Sequence, residues 1–264
     1  MTRSWPARAL TSPLAVPVCL LVAFAVLGSV WALGRPYGVT TDEEAHYVRA
    51  LGLSTGDVTG EASVWPDRAF TPEQQRTLDA ATRRFRMPER VAPRRNPTGG
   101  SIFSCFAFQP TRPASCITDP SGPVLQETYV GVYPPLPYLL PGVVARGAGD
   151  PVWGLLLARL GSGVLCLVVL ALCVWGVRDP DAPALSLLGV TVALTPTVMF
   201  FAWSMNAGGL EMASGIAFVA LCLRLARPQR PPSWMWGATA VSGLLLGGSR
   251  PIALVWVFFG LWVA

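Results

Sequence analysis

A short stretch near the N-terminus carries ionisable side chains at a spacing that could support acid–base chemistry. Residues 41–49 read Thr-Asp-Glu-Glu-Ala-His-Tyr-Val-Arg and follow an apolar run at residues 14–33. Acidic side chains this close to a bilayer are costly to hold there and often mark a functional site. A carboxylate beside an imidazole could act as a general base and its partner. Two neighbouring carboxylates could instead hold a divalent cation, Mg²⁺ or Mn²⁺, against a phosphate.

A helix would position these groups. Thr41 and Glu44 have the form of a capping box, which predicts that the helix begins at Thr41. The alternative to a functional site is a solvated, well-capped helix beside the membrane.

The predicted helix would gather the candidate residues. Asp42, His46 and Arg49 would share one face, with Glu43 three residues before His46. We therefore treat Asp42, Glu43 and His46 as candidate catalytic residues, and Arg49 as a candidate substrate contact. Asp42 and Glu43 are also the candidate metal ligands.

The composition indicates an integral membrane protein. Of the 264 residues, 52% are hydrophobic and 13% are charged, against about 25% charged in a soluble domain. The net charge of +5 does not indicate nucleic-acid binding, because most arginines lie between apolar runs, as membrane topology predicts. Runs of about 20 apolar residues can cross a bilayer. The predicted spans are residues 14–33, 152–177, 184–203, 210–225 and 234–248, and residues 252–264 would begin a sixth.

The arginines predict the orientation of these spans in the plasma membrane. Residues 1–13 would be cytoplasmic, and the first span would be an uncleaved anchor rather than a signal peptide. Residues 34–150 would form a long extracytoplasmic loop, with twelve arginines and twelve acidic residues. The arginines assigned to the inner side are Arg3, Arg8, Arg178, Arg224, Arg227 and Arg230. The predicted fold is an all-α, polytopic transmembrane bundle.

The chain ends inside an apolar run. Residues 261–264 read Leu-Trp-Val-Ala, with no polar segment after them. The last carbonyl groups of a helix that ended in hydrocarbon would lack partners. We therefore expect a C-terminally truncated form of a longer protein.

Two cysteines lie in the predicted outer loop. Cys105 and Cys116 could pair in an oxidising exterior and close a small loop, which would contribute roughly 2–3 kcal/mol. A zinc site is not indicated, because His46 is the one histidine and there is no second cysteine pair in the loop.

A proline-rich motif ends the predicted loop. Residues 133–138 read Tyr-Pro-Pro-Leu-Pro-Tyr, and three prolines in this stretch predict an extended approach to the membrane rather than a helix. Tyr133, Pro134, Pro135 and Tyr138 would form either a stiff linker with aromatic anchors or a wall of a substrate groove facing the acidic helix.

Three polar residues accompany the later spans. Asn206 lies in a predicted outer turn, and Glu211 follows at the start of an apolar run, where a charge needs a partner. Arg250 would lie near the outer face, where it could reach water or bind the phosphate of a lipid-linked substrate. We include all three as candidate substrate contacts.

The order of these motifs resembles a bacterial family of predicted membrane proteins, domain of unknown function 2142. That family is similar to the type C glycosyltransferase superfamily, whose members use polyprenyl-phosphate sugars. The resemblance implies a type C glycosyltransferase-like fold, with Asp42 and Glu43 in the place of the acidic catalytic base or metal ligand. Residues 134–136 match a Pro-Pro-Leu late in the same loop, and Arg250 stands where many members carry lysine.

The same resemblance implies transfer of a sugar from a polyprenyl phosphate to a cell-envelope acceptor. Asp42 would deprotonate the acceptor, His46 would orient Asp42 or contact phosphate, and Arg250 would stabilise the leaving phosphate. The expected partners are membrane lipids and the lipid-linked sugar. The alternatives are a non-catalytic glycan binder or envelope-assembly scaffold and a transporter, which is disfavoured because no internal repeat is evident.

Overall fold

The computed structural model describes residues 14–63, 71–74, 76, 82–93, 111, 113, 125–227 and 231–263. Cys105 and Cys116 lie outside these residues, so their disulfide stays a prediction. The chain divides into two compact units. The bundle unit comprises Met1–Val30, Gly163–Ala202 and Gly208–Ala264, and the loop unit comprises Trp31–Ser162 and Trp203–Ala207.

Most of the described residues are helical. In chain order the helices are α1 (Ala15–Gly34), α2 (Glu43–Ser54), α3 (Leu136–Ala145), α4 (Pro151–Val177), α5 (Pro183–Ala193), α6 (Pro196–Ala202), α7 (Ala207–Leu225), α8 (Trp234–Gly247) and α9 (Ala253–Val263). The strands are β1 (Glu61–Ala62), β2 (Arg83–Arg86) and β3 (Leu125–Thr128).

Three of these helices, α1, α4 and α7, are long and apolar enough to cross a membrane. Along α1 many large apolar side chains are exposed, among them Leu27 and Val30, as lipid-facing side chains would be. Helix α8 has 14 residues, fewer than the roughly 20 that a perpendicular crossing needs. The orientation of the spans stays a prediction.

The predicted span at residues 184–203 is broken. Helices α5 and α6 together are apolar enough to cross, but they meet at a bend of 72°. Pro196, the first residue of α6, has no backbone N–H, and it disfavours helical geometry at Thr195. Helix α5 therefore ends at Ala193, and the next helix begins at Pro196.

The loop unit contains a small antiparallel sheet, so the all-α prediction is wrong in this region. Its strand order is β1-β2-β3, with Arg84 opposite both Glu61 and Glu127, and Phe85 opposite Gln126. Phe85 is fully buried between two more exposed arginines. This alternation of buried and exposed side chains is typical of a strand.

Helix α2 packs closely against α3 within the loop unit. A Cβ atom at Gly142 would collide with the backbone carbonyl of Ala50, so the two helices approach backbone to backbone. The core beneath them also takes in the sheet and the start of α4. Its large side chains are Tyr47, Leu51, Phe85, Met87, Tyr138 and Leu155.

Helix α3 begins inside the proline-rich motif, where we predicted extended chain. Pro135 is the N-cap, and Pro137 lies in the first turn, where a missing N–H removes no helical hydrogen bond. The prolines therefore start this helix instead of excluding it. Tyr138 is fully buried, so it does not anchor the chain at a membrane surface.

The bundle unit has its own apolar core. Side chains from α4, α5, α7 and α8 meet in it, among them Val169, Leu187, Leu221 and Met235. Helices α8 and α9 pack against each other beside it.

Candidate functional site

A buried ion pair lies at the start of α2. Both side chains, Glu43 and Arg159, are 0% exposed. Arg159 donates from Nε to Oε1 at 2.8 Å and from Nη2 to Oε2 at 2.6 Å. Its other N–H groups reach the carbonyls of Ala32, Arg35 and Pro36 at 3.0–3.1 Å. All five guanidinium donors thus have acceptors, the condition under which a buried pair is held firmly.

The segment before α7 joins the same network. The backbone N–H of Met205 donates to the carboxylate of Glu43 at 3.2 Å. Arg35 donates to the hydroxyls of Thr40 and Ser204 at 2.7 and 2.9 Å, and to the carbonyl of Trp203 at 2.7 Å. Residues 203–207, distant in sequence, are therefore tied to the start of α2.

The hydrogen bonds of Glu43 disfavour a divalent cation between Asp42 and Glu43. Both carboxylate oxygens of Glu43 already accept hydrogen bonds from Arg159, and a ligand role would break this pair and leave a buried cation uncompensated. Within the described ranges, no group of three or more His, Cys, Asp or Glu side chains could hold a metal ion.

Asp42 has a different environment from its neighbour. It is exposed, and among the described residues it is the only non-glycine residue with a positive φ, at φ 62° and ψ 7°. Helix α2 therefore begins at Glu43, and the predicted start at Thr41 is wrong because the left-handed residue interrupts the helical backbone. Aspartate tolerates this conformation better than most residues. Such conformations typically cost about 1–3 kcal/mol and recur at functional sites.

A tyrosine that we did not single out from the sequence holds the Asp42 carboxylate. Tyr129 follows β3, is 48% exposed, and donates a side-chain hydrogen bond to Asp42. Partial burial first, and then this bond and the charge of Asp42, raise the pKa of Tyr129 above its ordinary value of 10.0. The hydroxyl therefore remains a protonated donor at neutral pH.

His46 contacts the proline-rich motif. Its Nδ1 lies 2.7 Å from the hydroxyl of Tyr138, and the two rings stack with centroids 5.7 Å apart. The ring of Tyr133 meets it edge-on at 5.9 Å. His46 is buried, whereas Asp42 lies outside the helix, so the predicted shared face of these two residues is wrong. The structure does bring the acidic helix and the proline-rich motif together, and half-buried Pro134 and Pro135 lead into α3.

Arg49 links α2 to the start of the proline-rich motif. It donates to the carbonyls of Val58 and Tyr133 at 2.7 and 3.0 Å, and its guanidinium lies 4.9 Å from the centre of the Phe85 ring. Arg49 is buried, so its position suits a structural contact better than direct substrate binding. Asn206 is also buried, and its amide lies 3.5 Å from the carbonyl of Thr41.

Glu211 and Arg250 form an ion pair within the bundle unit. Their side chains form an ion pair at 3.6 Å, with 15% and 31% of the side chains exposed. Glu211 lies in the first turns of α7, where an apolar span makes a charge partner necessary. Arg250 is that partner for Glu211. Because Glu211 already compensates its positive charge, Arg250 is less suited to bind a phosphate, as we had expected it to do.

Arg159 and Arg35 are the network residues that sequence reasoning missed. For Arg159 a signal existed, because an arginine inside the apolar run at residues 152–177 is rare without a partner. Its partner could not be identified, since Glu43 lies 116 residues away.

The long apolar helices fit a multi-pass membrane protein. The family model described as "Predicted membrane protein (DUF2142)" matches residues 24–264. The chain belongs to this family. Comparison with curated proteins and with solved structures gives no match.

Proposed function

We propose that the protein transfers a sugar from a polyprenyl-phosphate donor to a cell-envelope acceptor at the outer face of the plasma membrane. One observation carries this proposal. Two adjacent carboxylates have different environments. Glu43 is buried and its charge is compensated by Arg159, whereas Asp42 is exposed, has a left-handed backbone and lies beside the hydroxyl of Tyr129. The resemblance of the family to type C glycosyltransferases supports it, because an acidic residue at this place in their first outer loop serves as catalytic base or metal ligand.

In the proposed reaction Asp42 is the general base. Its carboxylate takes the proton of an acceptor hydroxyl while the hydroxyl oxygen attacks the anomeric carbon of the sugar. The bond from that carbon to the lipid phosphate breaks, and the phosphate leaves with the bonding electrons. The new glycosidic bond and the released polyprenyl phosphate balance the step, and a positioned base of this kind contributes typically about 10²–10⁴ in rate.

The residues around Asp42 position it. Tyr129 fixes the carboxylate with a hydrogen bond, and the Glu43–Arg159 pair fixes the first turn of α2 directly after it. The N-terminus of α2 also favours a carboxylate by its dipole. Since Arg250 is paired with Glu211, we assign it to the bundle unit and give it no step in the chemistry.

The test compares membrane lipids by mass spectrometry. A strain lacking the gene is complemented with wild type, with Asp42→Asn, or with Glu61→Gln as a matched loss of one exposed carboxylate from the loop unit. We expect a polyprenyl-phosphate sugar to accumulate in the deletion strain and with Asp42→Asn. Wild type and Glu61→Gln should both restore the normal level.

Asparagine is the appropriate replacement at this position. It tolerates a left-handed backbone as aspartate does and keeps an oxygen for the Tyr129 hydrogen bond, but it cannot act as a base at neutral pH. Full complementation by Asp42→Asn, or an unchanged lipid profile in the deletion strain, would replace the transferase with a non-catalytic binder or scaffold.

A further inference from the structure

An open apolar groove runs along the bundle unit and has no lining residue in the loop unit. Its volume is about 630 Å³, within the roughly 300–1,000 Å³ of typical small-molecule sites. Helices α5 and α7 form most of its walls. Lining residues include Leu185, Gly189, Val190, Gly215, Ile216 and Val219. The surface suits a flexible hydrocarbon chain, since these positions carry apolar or minimal side chains.

Two arginines belong to the same groove. Arg224, in the last turn of α7, and Arg227, just after it, both line the groove. The Nη1 atom of Arg224 is buried and has no hydrogen-bond partner among the described residues. Neither arginine has an ion-pair partner within the part of the chain that the structure describes. A buried guanidinium donor without an acceptor is unfavourable, which points to an anion at this end.

We propose that this groove binds an anionic phospholipid, with an acyl chain along α5 and α7 and the headgroup phosphate on Arg224 and Arg227. The predicted orientation places these arginines on the cytoplasmic side, and basic pockets between membrane helices on that side suit anionic headgroups. Guanidinium groups bind phosphate oxygens through paired hydrogen bonds. The site is independent of the proposed transferase chemistry, which involves the loop unit.

The headgroup test is native mass spectrometry of the purified chain with palmitoyl-oleoyl phosphatidylglycerol and, separately, phosphatidylcholine of the same acyl chains. Wild type should prefer phosphatidylglycerol. Each arginine near an anionic headgroup contributes roughly fivefold in affinity, so Arg224→Gln with Arg227→Gln should lower phosphatidylglycerol binding about 25-fold. Arg178→Gln is the matched control, because that guanidinium packs over the Trp175 ring at 4.9 Å and does not line the groove.

The acyl-chain test fills the groove without disturbing the protein. A Cβ atom at Gly189 would meet nothing within 4 Å, so Gly189→Leu can enter the groove and leave the helices in place. Gly237, in α8, has the same open surroundings but does not line the groove. Gly189→Leu should therefore reduce phosphatidylglycerol binding at least fivefold, and Gly237→Leu should leave it unchanged.

Several results would overturn the proposal. One is equal binding of the two lipids by wild type, and another is an equal loss with Arg178→Gln, which would indicate general surface charge. Displacement by inorganic phosphate with no effect of Gly189→Leu would indicate a free-anion site instead of a lipid site. A mass shift to dimer that disappears in Gly189→Leu would assign the groove to a second copy of the chain.

Discussion

Replacing Arg159 should show how much the buried ion pair with Glu43 stabilises the loop unit. Arg159→Met would leave the carboxylate of Glu43 buried with the Met205 N–H as a remaining donor, and three backbone carbonyls would lose their partner. Breaking a buried pair by deleting one member costs about 3–5 kcal/mol. At about 2–4 °C per kcal/mol for a domain of 150–250 residues, the apparent melting temperature should fall by about 6–20 °C.

A double-mutant cycle assigns this loss to the pair. Glu43→Gln alone leaves the Arg159 cation buried without its counter-charge and should destabilise the protein to a similar extent. Glu43→Gln combined with Arg159→Met removes both charges, so its loss should be smaller than the sum of the single losses by about 2–3 kcal/mol. Thermal unfolding of the protein in detergent, followed by tryptophan fluorescence, provides the four melting temperatures.

An exposed ion pair of the same unit is the control. Arg84 and Glu61 lie 3.6 Å apart with 28% and 63% of the side chains exposed, and such surface pairs contribute about 0–1 kcal/mol. Glu61→Gln should therefore leave the melting temperature nearly unchanged. Additive losses in the cycle, or a Glu43→Gln protein as stable as wild type, would refute the structural role of the pair.

Smaller changes around the site have separate expected outcomes. Tyr138→Phe removes the hydroxyl bonded to His46 and should lower unfolding free energy by about 1 kcal/mol, measured by thermal unfolding. Gly142→Ala drives a methyl group into the backbone of α2 and should cost about 1–3 kcal/mol in the same assay. Asp42→Gly relieves the left-handed strain but frees the unfolded backbone and removes the Tyr129 contact, so stability should change by less than about 1 kcal/mol while donor consumption is abolished. Because the pKa of Tyr129 is raised, the pH–rate profile should show no loss from tyrosine ionisation up to about pH 9.

The membrane helices could be predicted from the sequence because their signal is local. A long apolar run must form its hydrogen bonds internally when it lies in lipid, so composition and length are enough to place it. The predicted runs at residues 14–33 and 152–177 accordingly lie within one residue of α1 and α4 at each end. The break before Pro196 could also have been predicted, because a proline lies inside the apolar run at residues 184–203.

The site could be predicted only in part, because its contacts are distant in sequence. The sequence identified both the acidic motif and the proline-rich motif. It did not predict which of Asp42 and Glu43 would be buried. That outcome depends on Arg159, which lies 116 residues from Glu43. The left-handed conformation of Asp42 could likewise not be predicted, since residues 41–44 alone favour a capped helix. Tyr129 follows a strand whose partner, β2, lies about 40 residues earlier in the chain.

The most direct test of the central claim is the rate of donor consumption in isolated membranes. Vesicles containing equal amounts of wild type, Asp42→Asn or Glu61→Gln are given the polyprenyl-phosphate sugar that accumulates in the deletion strain, and its loss is followed by mass spectrometry. If Asp42 is the general base, Asp42→Asn should be slower by about 10²–10⁴ while Glu61→Gln matches wild type. Wild-type rates with Asp42→Asn would contradict the assignment of Asp42 as the base.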